Sequence, residues 1–217
     1  MSCSLSQGQP SGARRRFIIS IKSLKEYAMK NKDSNSRQIF PSDFPESLQK
    51  SIHCPKSLFI KGTLPDKNTV GVALVGTRRP SVSAPLLCDL LVKSLRGTNA
   101  VVISGLAQGI DSLCHEAALK YGIPTIAVLG QGLNSEIGGS RKILAQKIIE
   151  QGGALVSTFE NDSPAFKWQF PLRNGIIVGL SKTTVVIESK TKGGALITAD
   201  LCLKAKRTLL AIPGDFN

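Results

Sequence analysis

Six short runs in this chain are almost wholly apolar: VGVAL (70–74), AVVI (100–103), TIAVL (125–129), ALVS (154–157), TVVIE (184–188) and TLLAI (208–212). A strand that is apolar at nearly every position, rather than at alternate ones, has both faces buried. That condition is met by a parallel sheet with helices on each side. Helical patterns separate the runs, from about Ala84 to Arg96, Ile110 to Tyr121, Arg141 to Gln151 and Ala195 to Ala205, with a short helix beginning near Arg173. The fold class is therefore α/β, a doubly wound and mainly parallel sheet with helices on both faces.

Upstream, FPSDFPESLQKSIHCPKSLFIKG (40–62) reads as a short helix entering a further strand. Residues 1–38 are rich in Ser, Arg and Lys and read as a disordered basic tail, with an organellar transit peptide as the other reading. That leaves 39–217 as one domain, an ordinary size. No apolar run reaches the roughly 18 residues that a membrane span needs. The expectation is a cytoplasmic protein with no membrane partner.

The net charge of +13 favours polyanionic partners. Part of it is local: residues 1–38 hold eight Lys/Arg against Glu26 and Asp33, which leaves +7 for the rest. The five cysteines, Cys3, Cys54, Cys88, Cys114 and Cys202, are scattered without CxxC spacing, and the histidines are only His53 and His115. The pattern points to buried free thiols in a reducing compartment, with no metal and no cofactor.

In doubly wound sheets ligands bind beyond the carboxyl ends of the strands, where the strand order reverses. GTRRPS (76–81), SGLAQGIDS (104–112), GQGL (130–133) and SKTKGGALITA (189–199) all fall at such ends. Each alone could be an ordinary βα turn; four on one rim argue for a single site. Glycine lets backbone N–H groups approach phosphate oxygens, and the following helix adds its positive end. The residues assigned to this rim are Gly76, Thr77, Arg78, Arg79, Ser104, Gly105, Leu106, Gly109, Gly130, Gly132, Gly193 and Gly194.

On the helix after SGLAQG, Ile110, Leu113, Cys114, Ala117, Ala118 and Tyr121 form one apolar face, with Asp111, Ser112 and His115 on another. A carboxylate facing phosphate would repel it. Asp111 is thus expected to accept hydrogen bonds from loop N–H groups, and His115 to lock the same corner. In FKWQFPLRNGIIVGLS (166–181), Phe166, Trp168 and Phe170 either stack nucleobases or pack in the core. Arg173 and Asn174 either clamp phosphate or hold a neighbouring loop. Glu188 is the only other carboxylate placed at the rim, and no nucleophile–base pair emerges, so a catalytic role is not expected.

In this order, GTRRPS, SGLAQGIDSLCHEAAL, TIAVLGQGL, FPLRNGIIVGLS and GGALITA through AIPG resemble the DNA-processing protein A family (DprA, also called Smf). FPESLQKSIHCPKSLFIKG is similar to its lead-in, so the resemblance covers about Phe40 to the end. It implies an extended Rossmann-like domain that binds single-stranded DNA, protects incoming DNA in natural transformation and helps load a RecA-type recombinase. Family members commonly form homodimers and are not known as catalysts. By motif position Arg78 would be a principal phosphate ligand. The loops at Ser104–Gly109 and Gly130–Gly132 would line the pocket, with Phe170, Arg173 and Asn174 at its border.

The chain departs from the family pattern in places. Gly175 stands where a second arginine is expected, SEIGGS replaces the usual segment after GQGL and Asn134, and position 158 is Thr rather than Glu. The end at IPGDFN reads as that of a partial chain. Two other readings compete. One is a nucleoside-monophosphate-cleaving relative built on Glu188, Gly193 and Gly194, although the signature PGGxGTxxE is missing. The other keeps the fold without the site.

Overall fold

The computed structural model describes residues 36–66, 68–191 and 193–213. The strands are β1 (Ser36–Ile39), β2 (Leu58–Gly62), β3 (Val70–Gly76), β4 (Ala100–Ser104), β5 (Thr125–Val128), β6 (Ala154–Ser157), β7 (Thr183–Glu188) and β8 (Thr208–Ala211). The helices are α1 (Glu46–Gln49), α2 (Ala84–Lys93), α3 (Ile110–Lys120), α4 (Ser140–Glu150), α5 (Gln169–Leu180) and α6 (Gly194–Lys204). All six apolar runs are strands of one sheet, ordered β1-β2-β6-β5-β4-β3-β7-β8. From β3 the chain steps outward through β4, β5 and β6, each parallel to the one before. It then returns to the other side of β3, where β7 and β8 add in parallel. The order reverses between β3 and β7, so the loops leaving those two strands part and open a crevice.

Because side chains alternate across a pleated strand, each apolar run feeds two cores. Ala73, Val75, Val101, Ile103, Ile126 and Val128 pack with Ile176, Ile177 and Leu180 of α5 on one face. Leu74, Val102 and Val185 pack with Cys88 of α2 and Cys114 of α3 on the other, where Ala127 and Leu155 also meet α4. Cys88, Cys114 and Cys202 are buried free thiols, whereas Cys54 is exposed. No helix among the described residues is long and apolar enough to cross a membrane.

Two boundaries differ from expectation. Residues 36–38, assigned to the tail on composition, belong to β1, which pairs antiparallel with β2, itself antiparallel to β6. An edge strand needs pairing on one side only and tolerates polar residues such as Arg37 and Gln38. The rest of the basic tail, with Cys3, lies outside the described residues. The helix expected near Arg173 starts one turn earlier, at Gln169. Pro171 is no obstacle there, because the first-turn N–H groups have no intrahelical acceptor to lose.

His115 does not lock the loop before α3. It is fully buried, and its Nδ1 lies 2.7 Å from the Thr125 hydroxyl, which donates to the Val102 carbonyl at 2.9 Å. The hydroxyl proton is thus engaged, so Nδ1 is the donor, and the ring ties α3 to β4 and β5. The apolar face of α3 did not reveal this because the opposite face is covered as well. Burial, with the nearby charge of Arg173, pushes the His115 pKa down from 6.5 to about 3. Between those values the unfolded chain binds the extra proton, so stability falls as pH drops below 6.5, by up to about 1.4 kcal/mol per pH unit from this residue. Urea unfolding at pH 7, 6 and 5 checks this: the wild type should lose stability relative to His115→Asn, and parallel curves would contradict it.

Candidate functional site

The crevice between the ends of β3 and β7 is a cleft of about 560 Å³. Gly76, Thr77, Arg78 and Arg79 line it from the loop after β3, and Ser189, Lys190, Gly193 and Gly194 from the loop after β7. Phe170, Arg173 and Asn174 enter from the first turns of α5, opposite the first turn of α6. Two helix N-termini therefore bring positive ends to one space. Lys167, just before α5, adds a further cation.

The loop after β3 is held from behind. Thr77 N–H donates to the Glu188 carbonyl at 2.8 Å, and the Ser81 N–H and hydroxyl donate to the Glu188 carboxylate at 3.0 and 2.9 Å. The sequence placed Glu188 at the rim. Its carboxylate instead anchors this loop and does not line the cleft. Arg78 and Arg79 are left exposed at the opening, with the Arg78 guanidinium 5.8 Å from the centre of the Phe170 ring.

Arg173 behaves differently. It is only 5% exposed, and Nη1 donates to the Val128 carbonyl at 3.0 Å. Asp111, 7% exposed, accepts hydrogen bonds from the N–H groups of Gly105 and Ala107 at 3.2 and 3.3 Å, so it does hold the loop after β4. Burial raises the Asp111 pKa, opposed by the charge of Arg173 and by those two N–H groups. For Arg173 burial works against the charged form while Asp111 supports it. Asn174 Nδ2 lies 3.5 Å from the Gly194 carbonyl, linking the starts of α5 and α6.

The loops after β4 and β5 do not present their glycines to the cleft. A Cβ on Gly105 would stand 1.5 Å from Arg173 Nη1 and 2.8 Å from the Asp111 carboxylate. Gly109, at φ +90°, lies where a Cβ would meet the Thr77 carbonyl at 2.4 Å, and the next residue, Ile110, donates its N–H to that carbonyl. Gly130 faces the Phe170 ring, and Gly132 faces the carbonyls of Glu160 and Asn161. Ser104 is fully buried and donates to the Leu74 carbonyl, and the Leu106 side chain is buried above β5 and α4. Ser104, Gly105, Leu106, Gly109, Gly130 and Gly132 are thus apart from the cleft lining. The approach that the glycines permit is by protein atoms.

Of the aromatic trio only Phe170 lines the cleft. Phe166 and Trp168 are exposed and lie nearly parallel, 9° between planes and 6.3 Å between centres, with the Phe159 ring edge-on to Trp168. Sequence reading passed over Lys167, Ser189 and Lys190. The signal was present in SKTK and FKWQF, where basic residues sit at strand-end loops beside the chosen glycines and aromatics.

Several comparisons bear on this arrangement. The sequence profile of DNA recombination-mediator protein A matches residues 37–217. Protein Smf of Escherichia coli strain K12 is 37% identical over 84% of the chain, and the DNA processing protein DprA of Streptococcus pneumoniae is 35% identical over 83%. The chain spans 50% and 63% of the length of these two relatives. The X-ray structure of the Streptococcus pneumoniae protein superposes with a TM-score of 0.74 at 29% identity, covering 88% of this chain and 68% of that one. DNA processing protein A from Helicobacter pylori, described for its single-stranded DNA binding mode, gives 0.74 at 26%, covering 84% and 82%.

The crowding at Gly105 makes a direct prediction. Gly105→Ala must push Arg173 off its carbonyl or shift the loop, and should destabilise the fold by about 3 kcal/mol. Gly194→Ala, whose Cβ would meet nothing within 4 Å, should change stability by less than about 0.5 kcal/mol. Urea unfolding of both variants checks the contrast.

Proposed function

The chain belongs to the DNA recombination-mediator protein A family, and from that premise we propose that its cleft binds single-stranded DNA through the phosphate backbone without changing it. The observation that carries the reading is the cleft's charge. Arg78, Arg79, Lys167 and Lys190 line it together with the first turns of α5 and α6, and among the lining residues the one carboxylate is the buried Asp111. Arginine forks and exposed N–H groups at helix starts suit phosphate oxygens. Phe170 offers a ring face beside them for a base. Contacts of this kind fix a strand's position without reading its sequence, so base preference should be weak.

The finer role rests on the family. Its members are recombination mediators by description. We extend this to protection of incoming DNA during transformation and to handing the coated strand to a RecA-type recombinase, with a homodimer as the working form. The cleavage alternative gains no support, because the Glu188 carboxylate is engaged by Ser81.

Fluorescence anisotropy with single- and double-stranded oligonucleotides at two salt concentrations tests the reading. The single strand should bind more tightly. Arg78→Ala should weaken it about 10- to 100-fold, the loss of a charge-assisted phosphate contact, and reduce the log–log salt slope by about 0.7. Unchanged affinity and slope in Arg78→Ala would place DNA binding elsewhere.

A further inference from the structure

The loop between β6 and α5 carries three aromatic rings outside the charged cleft. Trp168 is 59% exposed and Phe166 47%, and their rings lie nearly parallel, with 9° between planes and 6.3 Å between centres. The half-buried Phe159 ring stands edge-on to Trp168 at 5.7 Å. A lone exposed apolar side chain needs no explanation, whereas adjoining exposed rings mark a surface built for contact.

The loop is held in place rather than collapsed onto the core. Gln169, 1% exposed, accepts through Oε1 from the Phe166 N–H at 2.6 Å and donates from Nε2 to the Ser163 hydroxyl at 3.0 Å. Its own N–H donates to the Phe166 carbonyl at 3.1 Å. Both backbone groups of Phe166 are thus engaged by one buried residue, and the rings meet solvent with little freedom left to lose on binding. The rings also adjoin the cleft. Lys167, between the two in sequence, lines it, as does Phe170 in the next turn.

We propose that the Trp168–Phe166 pair is a stacking platform for a nucleobase of the strand whose phosphates the cleft holds. The proposal rests on the single-strand reading above. Neighbouring Cα atoms are about 3.8 Å apart, so a phosphate on Lys167 brings its own nucleoside within reach of Trp168. Glu160 and Asp162, exposed in the same loop, repel phosphate, which leaves the uncharged part of the nucleotide as the fitting occupant. The base adds outside the pair. A ring inserted between Trp168 and Phe166 would need about 7 Å, two carbon–carbon contact distances, and the centres are 6.3 Å apart. Every base has a π face, so stacking favours occupancy by any base over discrimination among them.

Trp168 provides the readout, because it is the one tryptophan of the chain. The full chain is titrated with oligo-dT and with an abasic oligonucleotide of equal length, and saturation by each is confirmed by anisotropy of a labelled copy. Oligo-dT should quench Trp168 emission about twofold or more, and the abasic strand less than about 1.2-fold. Trp168→Ala should weaken oligo-dT binding about 5- to 100-fold and abasic binding less than about twofold, whereas Trp168→Phe, which keeps a ring, should stay within about threefold of the wild type. Equal quenching by both strands or by neither, or unchanged oligo-dT affinity in Trp168→Ala, overturns the proposal and leaves the rings to another occupant such as a protein partner's side chain. Failure of either strand to bind removes the phosphate-backbone reading and this one together; binding without base-dependent quenching removes this one alone.

Discussion

The cleft is organised around one buried charge, the guanidinium of Arg173. A charge removed from water needs both a counter-charge and hydrogen bonds to persist. Here the Val128 carbonyl accepts from Nη1, and the Asp111 carboxylate offsets the charge while one of its oxygens, Oδ2, accepts from the amides of both Gly105 and Ala107. This places the start of α5, the end of β5 and the loop after β4 in fixed relation. Gly105 is part of the same constraint, since any side chain there would occupy the position of the guanidinium. The Phe170 ring, 6.0 Å from the Arg173 guanidinium and lying against Gly130, carries the arrangement to the cleft surface.

With that corner set, two arginine roles separate. Arg173 is structural and almost inaccessible, whereas Arg78 and Arg79 are exposed on a loop held from behind by Glu188. A loop anchored at both strand ends presents its cations with little conformational freedom left to lose, which favours binding. The helix starts of α5 and α6 add fixed dipoles that need no reorganisation. An adjacent uncharged concavity meets the cleft at Pro171 and Ile197.

The sheet was legible because strands buried on both faces leave long apolar runs; all six runs are strands, although β8, at the sheet edge, is largely exposed despite its apolar sequence, with Leu210 52% exposed. β1 was not, because SRQI lies at an edge where burial imposes no pattern. The cleft was legible at GTRRPS and at SKTKGG, the loops of the two strands flanking the reversal. SGLAQGID and GQGL were read as phosphate cradles because glycine signals that something comes close without saying what. In SGLAQGID the close neighbours are Arg173 and the backbone of Thr77 and Arg78, and at GQGL they are Phe170 and the carbonyls of Glu160 and Asn161. Asp111 was read correctly, since a carboxylate at a helix start has nearby amides to accept. His115 was not, because its partner, Thr125, comes from a strand that no local spacing connects to it.

Hydrogen–deuterium exchange of the protein with and without a single-stranded oligonucleotide tests the central claim most directly. The account predicts slowed exchange at 76–79 and 189–194, the loops leaving β3 and β7, with 133–139 in the loop after β5 unchanged. Slowing confined to 133–139, or to no part of the β3–β7 crevice, would contradict it.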